Sequence, residues 1–383
     1  MSFRDHADNP YASLSPAVWR GSTVVFDTFE DFMARKSRQP DGYSYGLTGT
    51  PTSRLLERRI ADLEGARHAV VVPSGASALM TTLMAFVRGG DHLLISESCY
   101  GAVKTFAQQW LAKMGVQVEF YPPTLDAGIA GLIRPNTRMI CMEAPGTITM
   151  EMQDVGAITA IARRHGVLTM MDNTWASPLF FKPLEHGVDF VIEAATKFFG
   201  GHSDLLMGSI ALNDAEQYAV LRETQSILGQ STSPDDCFLV HRGLETLELR
   251  VREQGRKALH IARWLEDQEM VSQVLFPALE SNPGHRIWRD NFTGNGCLLS
   301  MVLQPAVDER AFGAFFNALR HFPIGASWGG THSLVAYYPA AQQQARRFSP
   351  TQQPIVRLSI GLEDQAMLQN DLLQALDAYA RAL

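Results

Sequence analysis

The sequence predicts an α/β fold, with a large, mostly parallel sheet followed by a smaller C-terminal α/β unit. Three observations carry that expectation. Short apolar runs alternate with helical stretches along most of the chain, the pattern of βαβ units. The runs lack strict polar alternation, as strands covered on both faces do. The chain has 383 residues, of which 46% are hydrophobic and 19% charged. That is long enough for one large domain plus a smaller one, with ample apolar surface for both.

Residues 1–50 show little periodicity and hold several Gly, Pro and Ser, so they read as an extended arm. From "PTSRLLERRIADLEG" the pattern turns helical: Leu55, Leu56, Ile60 and Leu63 recur at helical spacing and Gly65 marks a C-cap. Apolar runs follow in "HAVVVPSG", "DHLLISES", "VQVEFYPP", "RMICMEAPG", "VLTMMDNTW", "VDFVIEAATK" and "GSIALN", several of them separated by helical stretches such as "SALMTTLMAFV" and "VGAITAIARRHG". Together they delimit a large domain over 51–245. In "LVHRGLETLELRVREQGRKALHIARWLED", Leu244, Leu247, Val251, Ala258, Ile261 and Leu265 fall close to one stripe, which predicts a long bridging helix. The small domain, 246–383, takes strands from "NGCLLSMVLQ", "SLVAYYP" and "PIVRLSIGL" and closes with the helix "MLQNDLLQALDAYARAL".

Bulk properties narrow the function. A net charge of -7 and a pI of about 5.9 argue against broad attraction to nucleic acid or an anionic membrane. Cys99, Cys141, Cys237 and Cys297 are scattered and form no CxxC pair, which fits reduced thiols rather than a disulfide framework or zinc site. His202 in "GGHSD" has no ligand-spaced partners, so no metal is expected. The opening segment lacks the apolar core of a signal peptide and no run is long enough to span a bilayer; a soluble cytoplasmic protein is expected. No GxGxxG follows the first strand and no P-loop occurs.

The ends of the predicted strands carry the chemistry, since open parallel sheets bind ligands beyond their carboxyl ends. Of six lysines (36, 104, 113, 182, 197 and 257), only Lys197 closes a strand-like run. Asp172 ends another run, where a buried acid needs a partner or neutralises. Ser74, Gly75 and Ala76 open a helix, whose free N–H groups and dipole suit a phosphate. Tyr100 follows a third run and offers a ring for stacking. Lysine, carboxylate and anion cradle are the three things that pyridoxal 5'-phosphate (PLP) requires.

The motifs "YGLTGTPT", "LEG", "PSGASA", "MEAPG", "DNTW", "ATKFFGGHSD", "RGLETL" and "RLSIGLED" occur in an order and spacing that resembles the Cys/Met-metabolism family of fold-type I PLP enzymes, over nearly the whole chain from Tyr43 onward. Within it, "EAPGTITMEMQDV" and "SWGG" look most like bacterial cystathionine β-lyases. The resemblance implies an aspartate aminotransferase-like fold, with Lys197 bonded to the cofactor and Asp172 on its pyridinium nitrogen. It further implies that Tyr100 stacks on the ring, that the amides of Gly75 and Ala76 with the Thr196 hydroxyl hold the phosphate, and that Arg357 and Ser327 bind the substrate's α-carboxylate. Without it, Arg357 reads as a surface arginine on an edge strand. Tyr45 would reach the neighbouring subunit's site, implying a homodimer as minimal unit, commonly paired into homotetramers.

The chain departs from that pattern at Leu47, where the family usually has an arginine on the partner's phosphate. It departs again at Thr331, His332 and Ala326, around the substrate's distal end. The implied activity is β-cleavage of L-cystathionine to homocysteine, pyruvate and ammonia, a step toward methionine. Trp328 in "SWGG" favours it over the family's γ-type reactions. A cysteine-S-conjugate β-lyase, a γ-type family member (γ-lyase, γ-synthase or sulfhydrylase) and a non-catalytic PLP-binding regulator are the alternatives, the last opposed by the full Tyr–Asp–Lys–Arg set.

Overall fold

The computed structural model describes residues 13–383. Each of the seven apolar runs of the large domain is one strand: β1 (His68–Val72), β2 (His92–Ser96), β3 (Gln117–Tyr121), β4 (Thr137–Glu143), β5 (Leu168–Asp172), β6 (Phe190–Glu193) and β7 (Gly208–Leu212). They form one sheet in the order β1-β7-β6-β5-β4-β2-β3. β2 to β6 pair in parallel, while β7 runs antiparallel to both its neighbours, β1 and β6. The missing polar alternation has its expected cause. Val71, Leu94, Ile140, Met171 and Val191 are buried in one core, and Val70, Leu93, Met139, Met170 and Ile192 in another.

The first long helix, Pro51–Glu64, is fixed at both ends. Thr50 and Ser53 form a reciprocal capping box, and Gly65 closes it at φ 68°. Behind it the arm differs from a uniformly extended segment: residues 13–50 include a helix, Phe29–Met33, and two 3₁₀ turns, Ala34–Arg38 and Gly46–Thr48. Thr28 caps the Asp31 N–H, which is why that helix starts where it does. None of these three elements buries a residue, so the segment has no core of its own. The rest of the expected arm, residues 1–12, lies outside the described residues.

The long bridging helix is two helices, Pro234–Leu244 and Leu247–Glu266. At the break, Glu245 and Thr246 donate to Arg242 and Gly243, a tighter i to i−3 pattern. A β-carbon on Gly243 would stand 2.2 Å from the Phe199 carbonyl, so the chain passes there without room for a side chain. All six residues of the predicted stripe are buried. Beyond it a second, antiparallel sheet has the order β10-β11-β9-β8, with β8 (Val271–Leu275), β9 (Leu298–Leu303), β10 (Leu334–Tyr338) and β11 (Ile355–Ser359). β8 is an addition to the three strands expected; its consecutive exposed Ser272 and Gln273 break the apolar run that would have announced it. The closing helix spans Gln365–Ala382.

Candidate active site

β6 stops at Glu193, so Lys197 does not close a strand; it lies in the turn beyond it. Turn bonds replace the ladder there. Ala194 N–H donates to the Thr174 hydroxyl (2.9 Å), Thr196 N–H to the Met207 carbonyl (3.0 Å) and Lys197 N–H to the Ala194 carbonyl (2.8 Å). The Lys197 ammonium donates to Ser327 Oγ at 2.9 Å and stands 5.5 Å from the centre of the Trp328 ring. Burial, then the nearby Arg357 charge, push its pKa down to about 8, against the opposing pull of Asp172 and Cys297. Gly329, at φ 81°, crosses over this lysine: a β-carbon there would lie 3.2 Å from Lys197 Cβ. The backbone angle and the close approach both call for glycine.

Asp172 does end β5. Its Oδ1 accepts from the Thr174 N–H (3.0 Å) and hydroxyl (2.6 Å). Oδ2 takes no hydrogen bond among the described residues, which leaves one carboxylate oxygen free. Burial raises its pKa; the Thr174 bonds and Lys197 oppose that rise. A cation placed against Oδ2 would favour the charged form further. Tyr100 precedes the helix Gly101–Phe106 and is 49% exposed, with its backbone N–H donated to Glu143 Oε2 at 2.6 Å.

The helix Gly75–Phe86 starts after Ser74, whose hydroxyl caps the Ser77 N–H at 3.0 Å. Neither the Gly75 nor the Ala76 amide donates within the described residues, which is the anion-binding arrangement of a helix N-terminus. A β-carbon on Gly75 would meet Ala194 Cβ at 2.7 Å, so this N-terminus is pressed against the turn carrying Thr196 and Lys197. Thr196 itself is committed elsewhere: its hydroxyl donates to the Met207 carbonyl (3.1 Å) and accepts the Met207 N–H (3.0 Å). It would hold a phosphate only by exchanging one of those bonds. A cleft of about 570 Å³ lies alongside, bounded by Pro73, Met207, Ser231 and Asp236 among others, but Lys197, Asp172 and Arg357 do not line it. The charged side chains, rather than the width of that cleft, locate the chemistry.

Arg357 corrects a second expectation. β11 lies between β10 and β9, not at an edge, and the arginine is 7% exposed. Its Nη2 donates to the Ser327 carbonyl at 3.4 Å and its guanidinium stands 5.3 Å from the centre of the Tyr338 ring. No carboxylate pairs with it among the described residues. A buried guanidinium with no anion is a ready carboxylate site. Ser327 therefore touches both cations, through its hydroxyl on Lys197 and its carbonyl on Arg357. Trp328 packs edge-on to Phe198 with ring centres 5.5 Å apart.

Tyr45 is 54% exposed on the arm, and no hydrogen bond or ring contact joins it to the other site residues. Leu47 lines a narrow pocket with Arg54, Glu57 and Val71. Ala326 and His332 are exposed; Thr331 Oγ1 lies 3.1 Å from His332 Nδ1. Glu143 was not anticipated from the sequence, although it closes the run "RMICME" just as Asp172 closes "LTMMD".

These groups fit PLP: a lysine without a carboxylate partner for its aldehyde, a free Asp172 oxygen for its ring nitrogen, and two undonated amides for its phosphate. The comparisons agree. Residues 2–377 match the model of the family described as Cys/Met metabolism PLP-dependent enzyme. The chain is 42% identical over 362 residues to a putative cystathionine beta-lyase of Rhizobium johnstonii, covering 94% of this chain and 90% of that one. It is 36% identical over 377 residues to an L-alanine/L-glutamate racemase of Wolbachia pipientis wMel, covering 95% and 92%. The crystal structure of cystathionine gamma synthase from Xanthomonas oryzae pv. oryzae in complex with cystathionine superposes with a TM-score of 0.90 at 31% identity, covering 98% and 96%.

Proposed function

Because the chain belongs to the Cys/Met metabolism PLP-dependent enzyme family, we propose that it is a carbon–sulfur β-lyase that converts L-cystathionine and water to homocysteine, pyruvate and ammonia. The observation that carries this reading is Ser327, which holds a lysine of depressed proton affinity on its hydroxyl and an unpaired arginine on its carbonyl. A base and a carboxylate binder so joined suit the α-carbon of an amino acid.

Bound here, PLP supplies an aldehyde for the substrate's amino group and a protonated ring that draws electrons away from Cα. Lys197 would bond the aldehyde carbon, Asp172 would hold the ring N–H, Tyr100 would cover one ring face, and the Gly75 and Ala76 amides would bind the phosphate. Arg357 takes the α-carboxylate through its planar fork. Released from the aldehyde when the substrate's amino group takes its place, the free Lys197 amine, with a pKa of about 8, would remove the Cα proton and keep it close to where sulfur departs. Trp328 bounds the space beside Lys197. Its position in "SWGG" and the similarity to the Rhizobium protein favour loss of sulfur from Cβ.

Tyr45, exposed on an arm with no core, supports a homodimer as the minimal active unit, paired into homotetramers. We place the enzyme in the cytoplasm. Among the described residues no helix is long and apolar enough to cross a membrane.

Product analysis tests the assignment. L-Cystathionine is expected to yield pyruvate, ammonia and homocysteine, and other cysteine S-conjugates would also end in pyruvate. Release of 2-oxobutyrate with free cysteine would reassign the chain to γ-elimination. D-Alanine formed from L-alanine, without keto acid from L-cystathionine, would assign it the reaction of its racemase relative. PLP bound with no turnover of either substrate would mark a regulator.

A further inference from the structure

Glu143 ends β4 as Asp172 ends β5, and the two stand side by side in register on adjacent parallel strands. The reaction above uses Asp172 and leaves Glu143 without a role. A carboxyl only 9% exposed needs hydrogen-bond donors, and both of its donors come from loops at the strand ends. Oε2 accepts the Tyr100 N–H at 2.6 Å, and Oε1 accepts the Thr147 hydroxyl at 2.5 Å. Thr147 also donates its own N–H to the Ser98 carbonyl at 2.8 Å. Residues 98–100 are thus tied to the loop after β4 and, through Glu143, to the end of the strand itself.

The Tyr100 ring has no comparable support. It is 49% exposed, and no ring contact holds it among the described residues. Its backbone therefore sets the point from which the phenol reaches into the site. The Tyr100 carbonyl accepts the Val103 N–H at 3.1 Å and starts the short helix, while its amide rests on Glu143.

We propose that Glu143 is a positioning residue, which fixes the Tyr100 ring over the cofactor through the Tyr100 amide and does not touch the substrate. The proposal rests on the reading that Tyr100 stacks on PLP. Burial and the adjacent Asp172 carboxylate push the Glu143 carboxyl well up from the usual carboxylate range. A neutral amide in its place therefore keeps the arrangement: the glutamine oxygen accepts from Tyr100 and its NH₂ donates to the Thr147 hydroxyl. Alanine removes both acceptors and leaves the Tyr100 N–H unpaired.

The test combines hydrogen exchange of residues 98–106 in the cofactor-free protein, titration of that protein with PLP, and visible circular dichroism of the loaded protein. Glu143→Ala is expected to speed exchange in 98–106, change the dichroism and weaken PLP binding by about tenfold, a middling coupling for residues in contact. Glu143→Gln should resemble the unsubstituted protein in all three. Combined with Tyr100→Ala, Glu143→Ala should weaken PLP binding no further. Should Glu143→Ala fail to fold, Glu143→Leu removes the same acceptors while filling the volume. Unchanged exchange in 98–106 would overturn the tie between the two residues. Fully additive losses of PLP affinity would overturn action through Tyr100. A Tyr100→Ala protein with unchanged dichroism and PLP affinity would overturn the stacking role, and the proposal with it.

Discussion

Replacing Arg357 separates the two jobs its position implies. The guanidinium is 7% exposed, has no carboxylate partner among the described residues, and keeps only a 3.4 Å bond to the Ser327 carbonyl and the Tyr338 ring at 5.3 Å. Truncating one side of a buried, hydrogen-bonded charge pair costs about 2–5 kcal/mol. If the substrate's carboxylate is the other side, Arg357→Ala lowers kcat/KM by roughly 30-fold to several thousandfold. In the absence of substrate the arithmetic reverses. An unpaired cation bears a desolvation penalty of about several kcal/mol, against about 0.5–2 kcal/mol of cation–π attraction to Tyr338. The thermal midpoint should therefore hold or rise. Arg357 also holds the Lys197 pKa down, so its removal should move the Lys197 titration upward from about 8, while Arg357→Lys should leave it near 8 and still impair turnover. Steady-state kinetics on L-cystathionine and thermal melts of the variant read both effects. A loss of kcat/KM below about threefold, less than 1 kcal/mol, would refute the carboxylate role. A marked fall in midpoint would refute the claim that the arginine is unpaired.

Three further outcomes follow from the same geometry. Asp172→Asn should retain PLP but raise the barrier by about 2.7–4 kcal/mol, the scale for losing one preorganised electrostatic partner, and near-normal kcat would remove Asp172 from that role. Only the free amine of Lys197 captures an aldehyde, so PLP uptake by the cofactor-free protein should quicken as pH rises through about 8 and then level off; a rate still climbing toward about 10.4 would indicate an ordinary lysine. Leu47→Arg should tighten PLP binding by about 1.5–3 kcal/mol if the arm reaches a neighbour's phosphate, and full activity in a monomer verified by light scattering would rule out a shared site.

The sheet was legible because most of its strands, the edge strand β3 excepted, are buried on both faces, and each of the seven runs became a strand. The Pro51–Glu64 helix was legible from its apolar spacing and Gly65. Sequence patterns failed where backbone contacts from elsewhere decide the outcome. Nothing in "VIEAATK" says that Thr174 and Met207 will capture the backbone after Glu193 and turn the strand before Lys197. Nothing in "LETLEL" announces the break at Glu245 and Thr246, just beyond the close approach of Gly243 to the Phe199 carbonyl. Arg357 looked like a surface residue because a lone arginine in an apolar run usually is one; the pairing of β11 between β9 and β10 buries it. Thr196 shows a different case: nothing in the sequence says that its hydroxyl, assigned to the phosphate, also bonds the Met207 backbone. Of the candidate site, Lys197 and Asp172 were readable from the ends of apolar runs and Gly75 and Ala76 from a helix start, whereas the junction of Lys197 and Arg357 on Ser327 exists only in three dimensions.

Borohydride reduction of the PLP-loaded protein, followed by peptide mapping, tests the central claim most directly, because it marks the lysine that holds the cofactor. The chain offers six lysines. Lys104 donates to the Glu97 carbonyl and Lys257 to those of Leu362 and Glu363, whereas Lys197 donates to the Ser327 hydroxyl beside the site's other groups. A pyridoxyl label is expected on the peptide carrying Lys197, with no label in Lys197→Ala. A label on Lys104, Lys182 or any other lysine, or undiminished labelling of Lys197→Ala, would contradict it.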